Sequence, residues 1–347
     1  MADIQLRFLK DMLVLSEPVW TELARLGLNV QRDGELTLLL EPEVFEEAYK
    51  LDMLVGAQCL VTPTASLAPM RLAQVRMEQR AEELAKTALR VVRMQNPQHV
   101  LVELGPCGLP LDPSSRASLN ENSDQYKRAA RLFDGEDFDA FFLNGFTRAV
   151  DLKCALIGLR KVSDAPVLAS VQVDAADMLP SGDTLRDAVG VMAEYGAQVL
   201  GLSTAAPLDA AVRMTQSIRA EYALPILVQL EVRKRNLEEE VSAPSAADFD
   251  NEADSGNEVR GAMAAGPYAE PDDMVDVADA LRAAGAQFLR ATGDATPAYT
   301  GALVAATDDL DVVLPPELAA RHESGEPEAL DDVAARLRAK ISRALEH

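Results

Sequence analysis

Three times the chain writes one phrase: GAQCLVT from Gly56, GAQVLGL from Gly196 and GAQFLRA from Gly285. Each copy follows a helical pattern and opens a short apolar run, so its glycine suits the left-handed position that ends a helix and its Leu, Val and Phe suit a buried strand. A helix-then-strand unit repeated in one chain predicts a parallel sheet, because a strand that returns through a helix runs the same way as its predecessor. The irregular spacing of the copies excludes a solenoid. Further strands are predicted at Met12 to Leu15, Val100 to Leu104, Ala140 to Leu143, Val167 to Val173 and Ile226 to Val232, which with the three repeats makes eight. Apolar residues at i, i+3 and i+4 predict helices over Met70 to Met94, Gln125 to Phe133, Leu185 to Tyr195, Ala210 to Tyr222 and Met274 to Ala284. Eight such units close into a (β/α)8 TIM barrel, expected over residues 1–314. A doubly wound open sheet would carry a phosphate-binding glycine loop after its first strand, and none follows Met12 to Leu15.

One stretch breaks the alternation. Asn236 to Val259 holds eight acidic residues and no Lys or Arg, a composition that cannot bury enough apolar area to offset ordering entropy. Residues 236–262 are therefore expected to be a mobile acidic loop inserted after strand 7, on the face where barrels place their chemistry. Residues 315–344 read as a short C-terminal helical extension, and 345–347 as a purification-tag scar. With 33 Lys and Arg against 56 Asp and Glu, the formal charge of −23 would repel nucleic acid. No apolar run approaches the ~20 residues of a membrane helix, and the N-terminus lacks a signal peptide's ordered regions, so the expected location is cytoplasmic and away from membranes. Cys59, Cys107 and Cys154 are far apart in sequence and read as reduced thiols.

In a barrel the informative residues are those at strand C-termini. Zinc wants three or four Cys or His ligands at one point, and only Cys107 falls near the mouth, so no metal site is assigned. The carboxylates Glu103, Asp174, Glu231 and Asp294 lie at or near strand ends and could hold a hard metal, although solvated carboxylates are the plainer reading in so acidic a chain. No DxHxxG motif of the kind that ligates a corrinoid occurs. Catalytic residues stay unassigned at this point.

Several segments, in order, resemble one family. The string EPEVFEEAYKLDMLVGAQCLVTPTASLAPMRL from Glu41, then Leu104-Gly105-Pro106-Cys107-Gly108, Leu143 to Leu156, Gly201-Leu202-Ser203-Thr204 and Ala291 to Pro297, are similar to the landmarks of the homocysteine S-methyltransferases and of the homocysteine barrel of cobalamin-dependent methionine synthase. In that family three thiolates hold a zinc ion that binds the homocysteine sulfur. Here Thr204, Thr292 and Gly293 stand at those positions, and Asn144 stands for a family glutamate. The resemblance implies a barrel that transfers methyl to a thiol or related acceptor, with the zinc-dependent chemistry lost and no cofactor held in this chain. It places a small-molecule ligand at the barrel mouth, walled by Thr64, Gly105, Asn144, Thr204 and Thr292, and implies that any corrinoid arrives on a separate partner protein. The alternative is a non-catalytic barrel that binds a metabolite or a partner.

Overall fold

A computed structural model of the chain describes residues 3–233, 268, 270–316 and 319. The segment 236–262 expected to be a mobile loop, residues 345–347 expected to be a tag scar, and all but Pro315, Pro316 and Ala319 of the expected C-terminal extension lie outside the described residues. Eight parallel strands are present: β1 Leu13–Val14, β2 Cys59–Val61, β3 His99–Leu104, β4 Ala140–Phe146, β5 Val167–Gln172, β6 Val199–Thr204, β7 Ile226–Val232 and β8 Phe288–Gly293. Neighbours in sequence are neighbours in the sheet, β8 pairs with β1, and a parallel bridge from Leu15 to Cys59 joins β1 to β2. The (β/α)8 barrel expected from the sequence is the fold. No helix of the described residues is long and apolar enough to cross a membrane.

The repeated phrase has one physical meaning in all three places. Gly56, Gly196 and Gly285 take φ of 90°, 86° and 98°, the left-handed conformation that ends a helix. The alanine that follows each donates its N–H back across the helix end: Ala57 to Asp52 O, Ala197 to Met192 O and Ala286 to Leu281 O. The glutamine then serves a neighbouring strand in the barrel. Gln58 Oε1 accepts from Val14 N, Gln198 Oε1 accepts from Val167 N, and Gln287 is tied through its amide to Leu9, Arg7 and Asp11 just before β1. These side chains satisfy backbone groups at the N-terminal floor of the barrel, which would otherwise be buried without partners.

The helices that precede or follow the strands are α1 Val19–Arg25, α2 Val30–Leu40, α3 Pro42–Leu54, α4 Pro69–Gln74, α5 Ala81–Arg93, α6 Arg116–Arg131, α7 Ala149–Arg160, α8 Leu185–Glu194, α9 Leu208–Glu221, α10 Asp273–Ala283 and α11 Pro297–Thr307. Two expected helices differ from the sequence reading. The single helix over Met70 to Met94 is broken, because Arg76 adopts φ 59° and separates α4 from a 3-10 turn and α5. The helix begun at Gln125 starts instead at Arg116, behind the Ser115 side chain that caps Ser118 N; its first two turns are polar and partly exposed, so apolar periodicity does not register them.

Strand alternation divides the core in two. Leu13, Cys59, Leu101, Phe142, Leu168, Val199, Leu227 and Phe288 fill the barrel's lower interior, closed from below by Ile4 and Phe8, whose ring meets Phe288 edge-on at 6.0 Å. The opposite parity packs outward on the helices. Continuing the inward parity toward the C-terminal ends gives Glu103, Asn144, Ser170 and Gln172, Gly201 and Ser203, Gln229 and Glu231, and Arg290 and Thr292. The upper half of the barrel interior is therefore polar.

Candidate active site

Among the described residues, two clefts on the C-terminal side bear on the site. The first, about 360 Å³, lies between the ends of β3 and β4 and the α1–α2 corner, and its wall includes Trp20, Glu35, Arg71, Glu103, Gly105 and Asn144. Trp20 is held there because Gly34 of α2 leaves room for it: a Cβ on Gly34 would stand 3.0 Å from the indole. Phe45 of α3 meets the same ring edge-on at 5.2 Å. The second cleft, about 490 Å³, is bounded by the ends of β5, β6 and β7, with Gln172, Asp174, Ser203, Thr204, Glu231 and Arg233 in its wall.

Between the clefts runs a buried chain of hydrogen bonds. Arg290, 1 % exposed, donates from Nε to Ser16 O at 2.8 Å and from Nη1 to Gln229 Oε1 at 3.3 Å. Gln229 Nε2 donates to Ser170 Oγ and to Asn144 Oδ1, both at 2.8 Å, and Asn144 Nδ2 donates to Glu103 Oε1 at 2.7 Å. The guanidinium also lies over the Phe142 ring, 5.5 Å from its centroid. Among the described residues it makes no ion pair within 4.0 Å. Burial weakens its hold on a proton, while Glu103, Asp52, Tyr49 and Glu17, facing it from β3, α3 and the end of β1, oppose that effect.

Beside this chain is a carboxylate pair. Glu17 N donates to Asp52 Oδ1 at 3.4 Å, and both residues are 2 % exposed. Burial, then the neighbouring Asp52, pushes the Glu17 carboxyl up to about 8, with Arg25 at 3.4 Å pulling the other way. Burial likewise raises Asp52 to about 7, against the Glu17 backbone N–H and Arg290.

The residues expected to wall the ligand fall into separate groups. Gly105 and Asn144 share the first cleft with Glu103. Thr64 is fully buried behind it, donating to Glu103 O at 2.6 Å and sharing a hydrogen bond with Thr62. Thr204 lines the second cleft, but on the outward parity of Leu200 and Leu202, with Oγ1 accepting from Ala206 N at 3.1 Å; Ser203 is the inward residue there. Thr292 is half-buried, donates to Leu230 O at 3.3 Å, and lines neither cleft. Thr204→Val is accordingly expected to cost about 1–2 kcal/mol by leaving a buried N–H without its acceptor. Urea unfolding would read the loss, and unchanged stability would mean that the cap carries nothing.

Sequence reasoning missed Ser170, Gln229 and Arg290. The signal was present as pairs of polar residues two apart at strand ends, Ser170 with Gln172, Gln229 with Glu231 and Arg290 with Thr292, each pair pointing into the barrel. Cys107, expected near the mouth, is turned into the packing instead: its Sγ donates to Asn122 Oδ1 at 3.3 Å and its N–H to Tyr126. Glu231 pairs with Arg233, and Asp174 Oδ1 accepts from Ala176 N and Met178 N, so these two carboxylates are spent locally.

The family model of the homocysteine S-methyltransferases matches residues 9–289. The chain belongs to the homocysteine S-methyltransferase family. Among solved structures it is similar to the homocysteine methyltransferase MmuM from Escherichia coli in its metallated form, with a TM-score of 0.65 and 19% identity over 85% of this chain and 96% of that one. The oxidized and apo forms of the same protein give TM-scores of 0.64 and 0.61, at 18% and 19% identity over the same shares of the two chains. No curated protein sequence matches the chain. Among the described residues, the side chains present do not fit a zinc–thiolate centre. Thr204 and Thr292 use their hydroxyls on backbone groups, the three cysteines are buried, and burial raises the thiols of Cys107 and Cys154, the latter to about 12. Among the described residues no three His, Cys, Asp or Glu side chains converge as a metal site.

Proposed function

We propose that this homocysteine S-methyltransferase-family barrel transfers a methyl group to a thiol acceptor in the Trp20 cleft, by a route that does not use the family's zinc. The observation that carries the reading is Glu103: a carboxylate in the cleft wall, fixed by Asn144 at 2.7 Å, in a barrel of this family. Arg71 and Glu35 in the same wall offer one group for a carboxylate and one for an ammonium, as an amino acid such as homocysteine would require. Glu103 takes the proton of the acceptor S–H, and the sulfur lone pair forms a bond to the methyl carbon. The bond from that carbon to the donor breaks, and its electron pair leaves with the donor. A free thiol of pKa about 8.5 is only a few per cent thiolate at pH 7, so a base at this point compensates for the missing metal.

The second reading, a barrel that binds a metabolite or partner without turning it over, is favoured by one observation. At the positions aligned with the family's thiolates, the hydroxyls of Thr204 and Thr292 are already satisfied by backbone. One experiment separates the two. Protein purified without chelator is analysed for metal and assayed for methionine formation from homocysteine with several methyl donors, among them a methyl-corrinoid on a separate protein, the partner that the resemblance implies. Turnover by metal-free protein is the expected result. Saturable homocysteine binding with no turnover from any donor would favour the second reading, and about one zinc per chain with zinc-dependent turnover would overturn the zinc-free route.

A further inference from the structure

We infer that Arg290 is a positioning residue that acts on Glu103 through two amides, holding Gln229 and Asn144 in one orientation so that an N–H always faces the Glu103 carboxylate. Guanidinium can donate hydrogen bonds and cannot accept them. Arg290 Nη1 therefore fixes the Gln229 carbonyl toward itself, which turns the Gln229 amide nitrogen to Ser170 and Asn144. That nitrogen is also only a donor, so Asn144 must present Oδ1 to it and Nδ2 to Glu103 Oε1. Each amide taken alone could sit either way round; a donor-only group at one end and an acceptor at the other leave a single arrangement for the row.

The burial of a cation at this point makes sense on the same terms. A guanidinium 1 % exposed and without an ion pair within 4.0 Å among the described residues costs free energy that the fold must offset elsewhere. An apolar residue would fill the layer at lower cost. What Arg290 adds is two fixed bonds in different directions, one to Ser16 O on the β1 side and one to Gln229, which anchor the row to the barrel wall. The far end is the carboxylate that the row reaches in the Trp20 cleft, and among the described residues Gln229 carries the direction across β5 and β6.

The inference rests on Glu103 being the group that does the work in the cleft, and its primary test does not require turnover. In side-chain amide NMR of the full chain, the Asn144 pair is identified as the resonances lost in Asn144→Ala, and its exchange with solvent is followed. Slow exchange is expected in the wild type and in Arg290→Lys, which keeps a donor-only group, with exchange at least about tenfold faster in Arg290→Met and in Gln229→Leu. Circular dichroism confirms which variants fold. If Arg290→Met fails to fold, Gln229→Leu, which cuts the row while leaving the arginine in place, carries the test. Protection of the Asn144 amide unchanged in a folded Gln229→Leu or Arg290→Met would overturn the inference. Where methyl transfer is measurable, Gln229→Leu should lower kcat while KM for the acceptor stays within about twofold, a split that general loosening of the barrel would not give. Absence of turnover in every variant and in the wild type would count against the proposed reaction and leave the amide result to decide the role of Arg290.

Discussion

Glu103→Gln is expected to lower kcat for methyl transfer by about 10²-fold while leaving KM for the acceptor nearly unchanged, the size commonly lost when a general base is removed. The substitution is close to isosteric, and the glutamine carbonyl can still accept from Asn144 Nδ2, so the buried row of hydrogen bonds survives. What disappears is the site for the acceptor's proton. Glu35→Gln serves as a control in the same cleft: it alters the wall's charge without touching that row, and it should act on KM rather than kcat. Steady-state kinetics on the two variants distinguish the roles. Equal kcat for Glu103→Gln and the wild type would remove Glu103 from the reaction.

The corner formed by Glu17 and Asp52 should make folding stability fall as pH rises. Glu17 goes from 4.5 to about 8 on folding and Asp52 from 3.8 to about 7. The folded protein therefore binds more protons than the unfolded chain between these values. The stabilisation is complete below the unfolded values and is lost as pH rises through about 7 and about 8. At ~1.4 kcal/mol for each unit, either shift alone corresponds to about 5 kcal/mol, and because the two groups titrate against each other a combined loss well short of the sum, about 5 kcal/mol, is expected. Glu17→Gln should lift stability at pH 8 and flatten the profile, since it removes one of the two charges that must otherwise form in the buried corner. Urea unfolding at pH 5, 6.5 and 8 reads both effects, and a flat profile in the wild type would show that the corner is solvated.

The barrel was legible in the sequence because its determinants are local. A glycine that must take positive φ after an amphipathic helix, followed by a short apolar run, leaves little choice of structure, and three copies announce the architecture. The break at Arg76 was not legible: the apolar face continues through it, and only the backbone turn shows the interruption. The site divided along the same line. Asn144, Gly105, Thr64 and Thr204 were all named because they lie at strand ends, and of these Asn144 and Gly105 share the first cleft, yet a strand end does not say which way a side chain points. Parity along the strand does, and applied to Ile226–Val232 and Phe288–Gly293 it leads to Gln229 and Arg290. Their connection to Asn144 spans residues far apart in the chain and follows only from closing the barrel.

The glutamines of the repeated phrase stitch neighbouring strands at the bottom of the barrel, while every member of the polar row near the top occurs once. The chain thus writes its foundation in a refrain and its chemistry in words used a single time. Loops and side chains above can be rewritten piece by piece without disturbing what closes the barrel below, because the two share strands but not anchoring side chains. In this member of the family Thr204 and Thr292 bond to backbone groups near the top while a buried arginine anchors the polar row, so the two halves of the barrel carry different loads on the same strands.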